Sequence, residues 1–86
     1  KAAALEWGRD NIRVNVICPF AETEGVTSWR QMAPEAYERS RRAVPMGRLG
    51  DVRTDIGPVV CFLLSDEAAF VTAQTIMVDG GTTGFR

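Results

Sequence analysis

Histidine is absent from the 86 residues, tyrosine occurs once and cysteine twice. Without histidine, Ser-His-Asp and Cys-His catalysis are excluded, and most zinc sites with them. Two cysteines are too few for a disulfide scaffold and stand too far apart in sequence to form a metal knuckle, so no metal site is expected. Cys18 and Cys61 lie in apolar runs, ICP and VVCFLL, which predicts reduced, buried thiols. The longest strongly apolar run, Val59 to Leu64, is far too short to span a bilayer. Neither a Gly-x-Gly-x-x-Gly turn nor a phosphate-binding loop occurs. Charge of one sign is lacking too: ten basic against eleven acidic residues, interspersed, give a net charge of −1. That weighs against a nucleic-acid binder and a membrane-surface protein. An initiating methionine is also missing. Lys1 to Gly8 opens directly in strong helix formers with no capping residue. Residues 1–8 therefore read as the tail of a longer helix ending near Gly8, and the chain as the C-terminal piece of something larger.

What is present is globular in kind, with 45% hydrophobic and 24% charged residues. Ile12-Arg13-Val14-Asn15-Val16-Ile17-Cys18 is β-branched and apolar, which predicts a buried strand over 12–18, parallel because a helix feeds it. Pro19 ends it. Residues 20–26 read as a loop. Residues 27–43 carry two helical pieces divided at Pro34, the first capped by Thr27 or Ser28, the second a solvated, salt-bridged helix. Val44 to Gly50 is a loop, and Asp51 can cap the next helix. Ile56, Val59, Val60, Leu63 and Leu64 have the spacing of one buried helical face, with a helix from about Val52 distorted at Pro58. Cys61 and Phe62 lie off that stripe and form a second apolar face in need of a partner. Ser65 to Ala69 suits one more turn. Thr75 to Val78 reads as a second strand, Asp79-Gly80-Gly81 as a sharp turn, and Thr82 to Arg86 as a tail. The order of elements predicts an α/β layer fold with a parallel sheet. Two strands do not make a stable sheet alone, so further strands are expected from elsewhere.

Ligands of open α/β sheets bind outside the carboxyl ends of the strands. Phe20, Ala21 and Thr23 occupy that place after the first strand, and Thr23 supplies a hydroxyl. Glu22 and Glu24 read as two exposed loop acids. Tyr37 has Arg, not Lys, four residues later and is not expected to be a catalytic acid.

Four segments also resemble a known family. Asn11-Ile12-Arg13-Val14-Asn15-Val16-Ile17-Cys18-Pro19, Pro45-Met46-Gly47-Arg48-Leu49-Gly50, Phe62-Leu63-Leu64-Ser65-Asp66-Glu67-Ala68 and Thr72-Ala73-Gln74-Thr75-Ile76-Met77-Val78-Asp79-Gly80-Gly81 resemble motifs of the short-chain dehydrogenase/reductases, in order and nearly end to end. The resemblance implies that residues 1–86 are the C-terminal part of one Rossmann-type, doubly wound, NAD- or NADP-binding domain. It would hold the last two strands with their flanking helices. The family's Gly-rich loop, catalytic Ser and Tyr-x-x-x-Lys would then lie upstream. Lys1 falls too late in its helix to be the catalytic Lys, and Asn15 is not the family's catalytic Asn.

The same resemblance assigns Pro19, Phe20, Ala21 and Thr23 to the loop over the nicotinamide, and residues 24–43 to a substrate lid. Val26, Trp29 and Met32, with Tyr37, are the apolar candidates of that lid. The helix over 52–64 and the strand over 75–78 are assigned to the interface of a dimer or tetramer. Interconversion of a ketone and a secondary alcohol, in the cytoplasm, is the implied activity. Phe20 and Ala73 stand where the family usually has glycine. A rival expectation is a non-catalytic binding or assembly module that keeps this surface without an enzyme half.

Overall fold

The apolar run that opens at Ile12 reaches sheet geometry only at Val16. In the computed structural model, which describes residues 2–82, β1 (Val16–Pro19) pairs in parallel with β4 (Thr75–Val78). Val16 lies opposite Thr75 and Pro19 opposite Val78. The strand begins later than its composition predicts because the preceding backbone is committed elsewhere. The Val14 amide donates to the Thr72 hydroxyl at 3.1 Å, and its carbonyl accepts from the Ala73 amide at 2.8 Å. Ile12 and Val16, expected inside, are exposed. A two-stranded sheet has too little breadth to cover them.

Helix α1 (Ala2–Trp7) continues into a 3-10 turn over Gly8–Asp10. It stops on Asn11, in the left-handed conformation at φ 62°, whose amide donates to the Gly8 carbonyl. Asparagine tolerates that conformation better than most residues. Lys1 and the tail beyond Thr82 lie outside the described residues.

Residues 20–26 are more ordered than a loop. Ala21–Glu22 form a short strand, β2, parallel to β3 (Gly50–Asp51). Helix α2 (Glu24–Met32) starts immediately after. Its cap is Thr23, whose Oγ1 accepts from the Val26 amide at 3.3 Å; Thr27 and Ser28 lie inside the helix. Helix α3 (Pro34–Ala43) begins on proline, where the missing N–H costs no helical bond. Glu38 and Arg41 pair on its solvated side.

Asp51 caps the following segment by accepting from the Arg53 amide at 2.8 Å, as its position predicted. The distortion expected at Pro58 is a π-helical turn over Val52–Ile56, closed by the Gly57 amide on the Val52 carbonyl. That wide turn places Pro58 at the start of α4 (Gly57–Leu64), where it breaks no ladder. Ile56 and Leu63 are buried, while Leu64 is 79% exposed instead of sharing their face. Among the described residues the two-stranded sheet does not cover it. The thiols are free, Cys18 half-buried and Cys61 exposed, so the expectation of buried cysteines fails at Cys61 for the same reason.

Two side chains of the β1 approach tie these layers together. The Arg13 guanidinium donates to the carbonyls of Leu63 at 2.8 Å, Ser65 at 3.3 Å and Val71 at 3.5 Å. It thereby satisfies the Leu63 carbonyl in the last turn of α4 and places a cation at the negative end of the helix. Asn15 donates to the Val71 carbonyl and accepts from the Gln74 amide, both at 3.0 Å. The turn leaving β4 demands glycine twice over. Gly80 has φ 63°, and a Cβ there would lie 2.9 Å from Val44 Cγ1. The architecture is α/β with parallel strand pairs.

Candidate functional site

The carboxyl ends of β1 and β4 meet at Phe20. Its amide donates to the Val78 carbonyl at 3.1 Å, and its carbonyl accepts from the Gly50 amide at 3.0 Å. One residue therefore joins the β1–β4 ladder to the β2–β3 ladder. Asn11 and Ala73 are the non-glycine residues with positive φ among those described, so Phe20 keeps an ordinary backbone. Beside Phe20 opens a cleft of about 590 Å³, with Met46, Ile56 and Met77 on its apolar side and Arg48 and Asp55 on its polar side. Arg48 and Asp55 are joined at 2.7 Å, and Asp55 also accepts from the Asp51 amide at 2.7 Å. The Arg48 guanidinium, then the Asp51 amide, hold the Asp55 carboxyl down at about 2.

Pro19, Phe20, Ala21 and Thr23 follow one another across this end of the sheet, as the sequence places them. Pro19 closes β1, Ala21 is buried in β2, and Thr23 is exposed at the head of α2. Its hydroxyl uses a lone pair on Val26 and keeps a proton to donate.

The lid candidates do not gather in the same way. Val26 and Trp29 are half-buried, whereas Met32 is 85% exposed at the end of α2. Tyr37 is buried, at 6% exposure, and its ring meets Trp29 edge-on at 5.7 Å between centroids. The Arg30 guanidinium lies 5.2 Å from the Tyr37 ring centre.

Glu22 is not the exposed loop acid that its position suggested. Its Oε1 accepts from the Tyr37 hydroxyl and from Arg30 Nη1, the latter at 3.3 Å. Its Oε2 is buried with no hydrogen-bond partner among the described residues. The hydrogen bond to Glu22, followed by burial and the carboxylate's charge, raises the Tyr37 pKa above its ordinary value. Sequence reasoning missed Glu22 and Arg30. The available signal was a lone tyrosine in an otherwise charged helix, which has to bury its ring and find its hydroxyl a partner.

Among the described residues no group of metal-ligating side chains assembles, and no helix is long and apolar enough to cross a membrane.

Known proteins share this arrangement. The model of the enoyl-(acyl carrier protein) reductase family matches residues 1–83. A 12alpha-hydroxysteroid dehydrogenase from Clostridium sp. is 46% identical over 81 residues, covering 94% of this chain and 31% of that protein. A short-chain dehydrogenase/reductase family oxidoreductase from Burkholderia thailandensis superposes with a TM-score of 0.85 at 29% identity, covering 99% of this chain and 34% of its own. YwfH, an NADPH-dependent reductase involved in bacilysin biosynthesis, superposes at 0.88 with 27% identity, covering 99% of this chain and 35% of its own. The chain thus spans about a third of the length of the relatives it matches. The α/β arrangement seen here is the corresponding part of their fold.

Proposed function

Because the chain belongs to the short-chain dehydrogenase/reductase family, we propose that it forms the C-terminal part of an NAD(P)-dependent oxidoreductase. The parent enzyme passes hydride between a nicotinamide and the carbon of a ketone or secondary alcohol. The observation that carries this reading is the continuous turn Pro19–Thr23 across the carboxyl ends of two parallel strands, in a chain similar to dehydrogenases over almost its whole length.

The chemistry of the turn fits such a cofactor. Both backbone groups of Phe20 are committed within the fold and Ala21 is buried in β2, so the exposed Thr23 hydroxyl is the group left to face a ligand. The free proton of the Thr23 hydroxyl suits an oxygen of the carboxamide or pyrophosphate. The bound cofactor supplies the hydride, and the protein supplies binding and orientation. Residues 24–43 act as the lid: Val26 and Trp29 offer the substrate an apolar surface, Met32 extends it, and closure excludes water. A bulky alicyclic alcohol or ketone, the class named for the Clostridium relative, is the first substrate class to test. Assembly into a dimer or tetramer uses the outer face of α4, where Cys61 and Phe62 are exposed, together with β4. The cytoplasm is the compartment that this reading assigns.

The test is to express the full-length reading frame that carries this segment. Nicotinamide absorbance is then followed with NAD and with NADP against a panel of hydroxysteroids and simpler secondary alcohols. Turnover with one cofactor supports the proposal. Absence of both turnover and cofactor binding favours the non-catalytic module.

A further inference from the structure

Three elements converge on one carboxylate. Glu22 extends from β2, Arg30 from α2 and Tyr37 from α3, and the last two both bond Glu22 Oε1. The next residue along the chain from Glu22 is Thr23, the cap of α2. Helices α2 and α3 are themselves joined through Trp29 and Tyr37. The Tyr37 hydroxyl is therefore the point at which the far helix of the pair is tied back to the strand that precedes it.

We propose that Tyr37 and Glu22 are positioning residues: their hydrogen bond holds α2 and α3 against β2 and so fixes Thr23 in place at the ligand-facing turn. This rests on the oxidoreductase reading for what Thr23 touches, but the tie itself does not depend on it. The placement of the groups favours this role. Tyr37 is buried by its ring contacts with Trp29 and Arg30, so its hydroxyl is held on Glu22 and not free to seek solvent. A hydroxyl on a carboxylate is among the stronger hydrogen bonds and resists breaking in a partly buried site. The raised pKa of Tyr37 agrees, because the proton is shared with an acceptor and is hard to remove.

Tyr37→Phe in the full-length enzyme removes the hydroxyl and leaves both ring contacts. The dissociation constant for NAD(P)H and the KM for the carbonyl substrate should each rise about tenfold, while kcat changes by less than about twofold. Glu22→Ala should reproduce this, and Glu22→Gln, which keeps an acceptor oxygen, should restore most of it. The double variant Glu22→Ala/Tyr37→Phe should be no worse than Glu22→Ala alone, because that change has already removed the Tyr37 bond. Cofactor affinity and KM unchanged in Tyr37→Phe would overturn the positioning role.

Hydrogen exchange on the cofactor-free protein separates this from the functional reading. Loss of the tie should speed exchange of amides in residues 21–43 and leave residues 57–64 unchanged. If the wild-type protein binds no nicotinamide cofactor, the oxidoreductase reading falls. The exchange pattern then decides the tie: equal rates in the wild type and Tyr37→Phe overturn it.

Discussion

The sheet and the helical pair α2–α3 are held by different kinds of contact. Around β1 and β4, side chains bond to backbone: Arg13 to the carbonyls ending α4, Asn15 to Val71 and Gln74, and Thr72 to Val14. In α2–α3, side chains bond to side chains: Tyr37 and Arg30 to Glu22, and Glu38 to Arg41. A backbone group is the same whatever residue carries it, so the first kind of contact constrains one partner and leaves the other free to vary. The second kind constrains both partners together. The segment held by backbone-directed bonds is accordingly the one with a legible motif, and the segment held by paired side chains is not.

The comparison breaks most visibly at Arg13. Arg13→Met keeps the aliphatic stem but strands the Leu63 carbonyl and removes the charged donor from Ser65 and Val71, so the full-length protein should lose about 3 kcal/mol of stability. A shift in urea midpoint of less than a third of that would show that the clamp is ornamental. Asn15→Ala leaves the Gln74 amide without its side-chain acceptor and the Val71 carbonyl with only the longer Arg13 contact, and should cost about 2 kcal/mol by the same measurement.

Thr23 tests the boundary between the two regions, because it both caps a helix and faces the turn. Thr23→Val should lower stability by about 1 kcal/mol through the lost cap. It should also weaken cofactor binding about fivefold through the lost donor. Thr23→Ser should retain both properties in thermal melts and fluorescence titration. A loss of stability with unchanged cofactor affinity would make Thr23 structural alone.

Ala73 supplies a change of opposite sign. It holds φ 61° just before β4, a conformation that strains a Cβ-bearing residue. Ala73→Gly should stabilise by about 0.5 kcal/mol, the relieved strain being partly offset by the freer unfolded chain. A lower melting temperature would contradict this.

The smallest effect is read against pH. The folded-state pKa of Asp55 is depressed from 3.8 to about 2. Its contribution is therefore fully present above 3.8 and is lost as the pH falls toward 2. Asp55→Asn should be less stable than the parent near neutrality and indistinguishable from it at the acid end. A gap that persists undiminished in acid would remove the ion pair with Arg48 as its cause.

The legible part of the fold follows from local chemistry. The tail of α1, the cap at Asp51, the proline start of α3, the distortion ahead of Pro58 and the strand over Thr75 to Val78 each depend on residues next to one another. The illegible part depends on distant partners. Ala21 and Glu22 become a strand only because Gly50 and Asp51 arrive beside them. Thr23 takes the cap from Thr27 and Ser28 because β2 ends just before it. Leu64 was expected inside on helical spacing and Cys61 on its apolar run, and neither signal says how wide a sheet lies beneath. At the site, the positions of Pro19, Phe20, Ala21 and Thr23 were readable from the strand end. The tie between Glu22 and Tyr37 spans two helices and was not.

The backbone of Phe20 has a consequence for variation. Its N–H and C=O are both spoken for by neighbouring strands and its torsions are ordinary, so the scaffold asks nothing of the side chain mounted there. Any residue except proline, which would forfeit the bond to Val78, fits this socket. Position 20 borders the cleft at the end of the sheet. It is a place where size, polarity or charge can be exchanged at the edge of that cleft without rebuilding the frame around it.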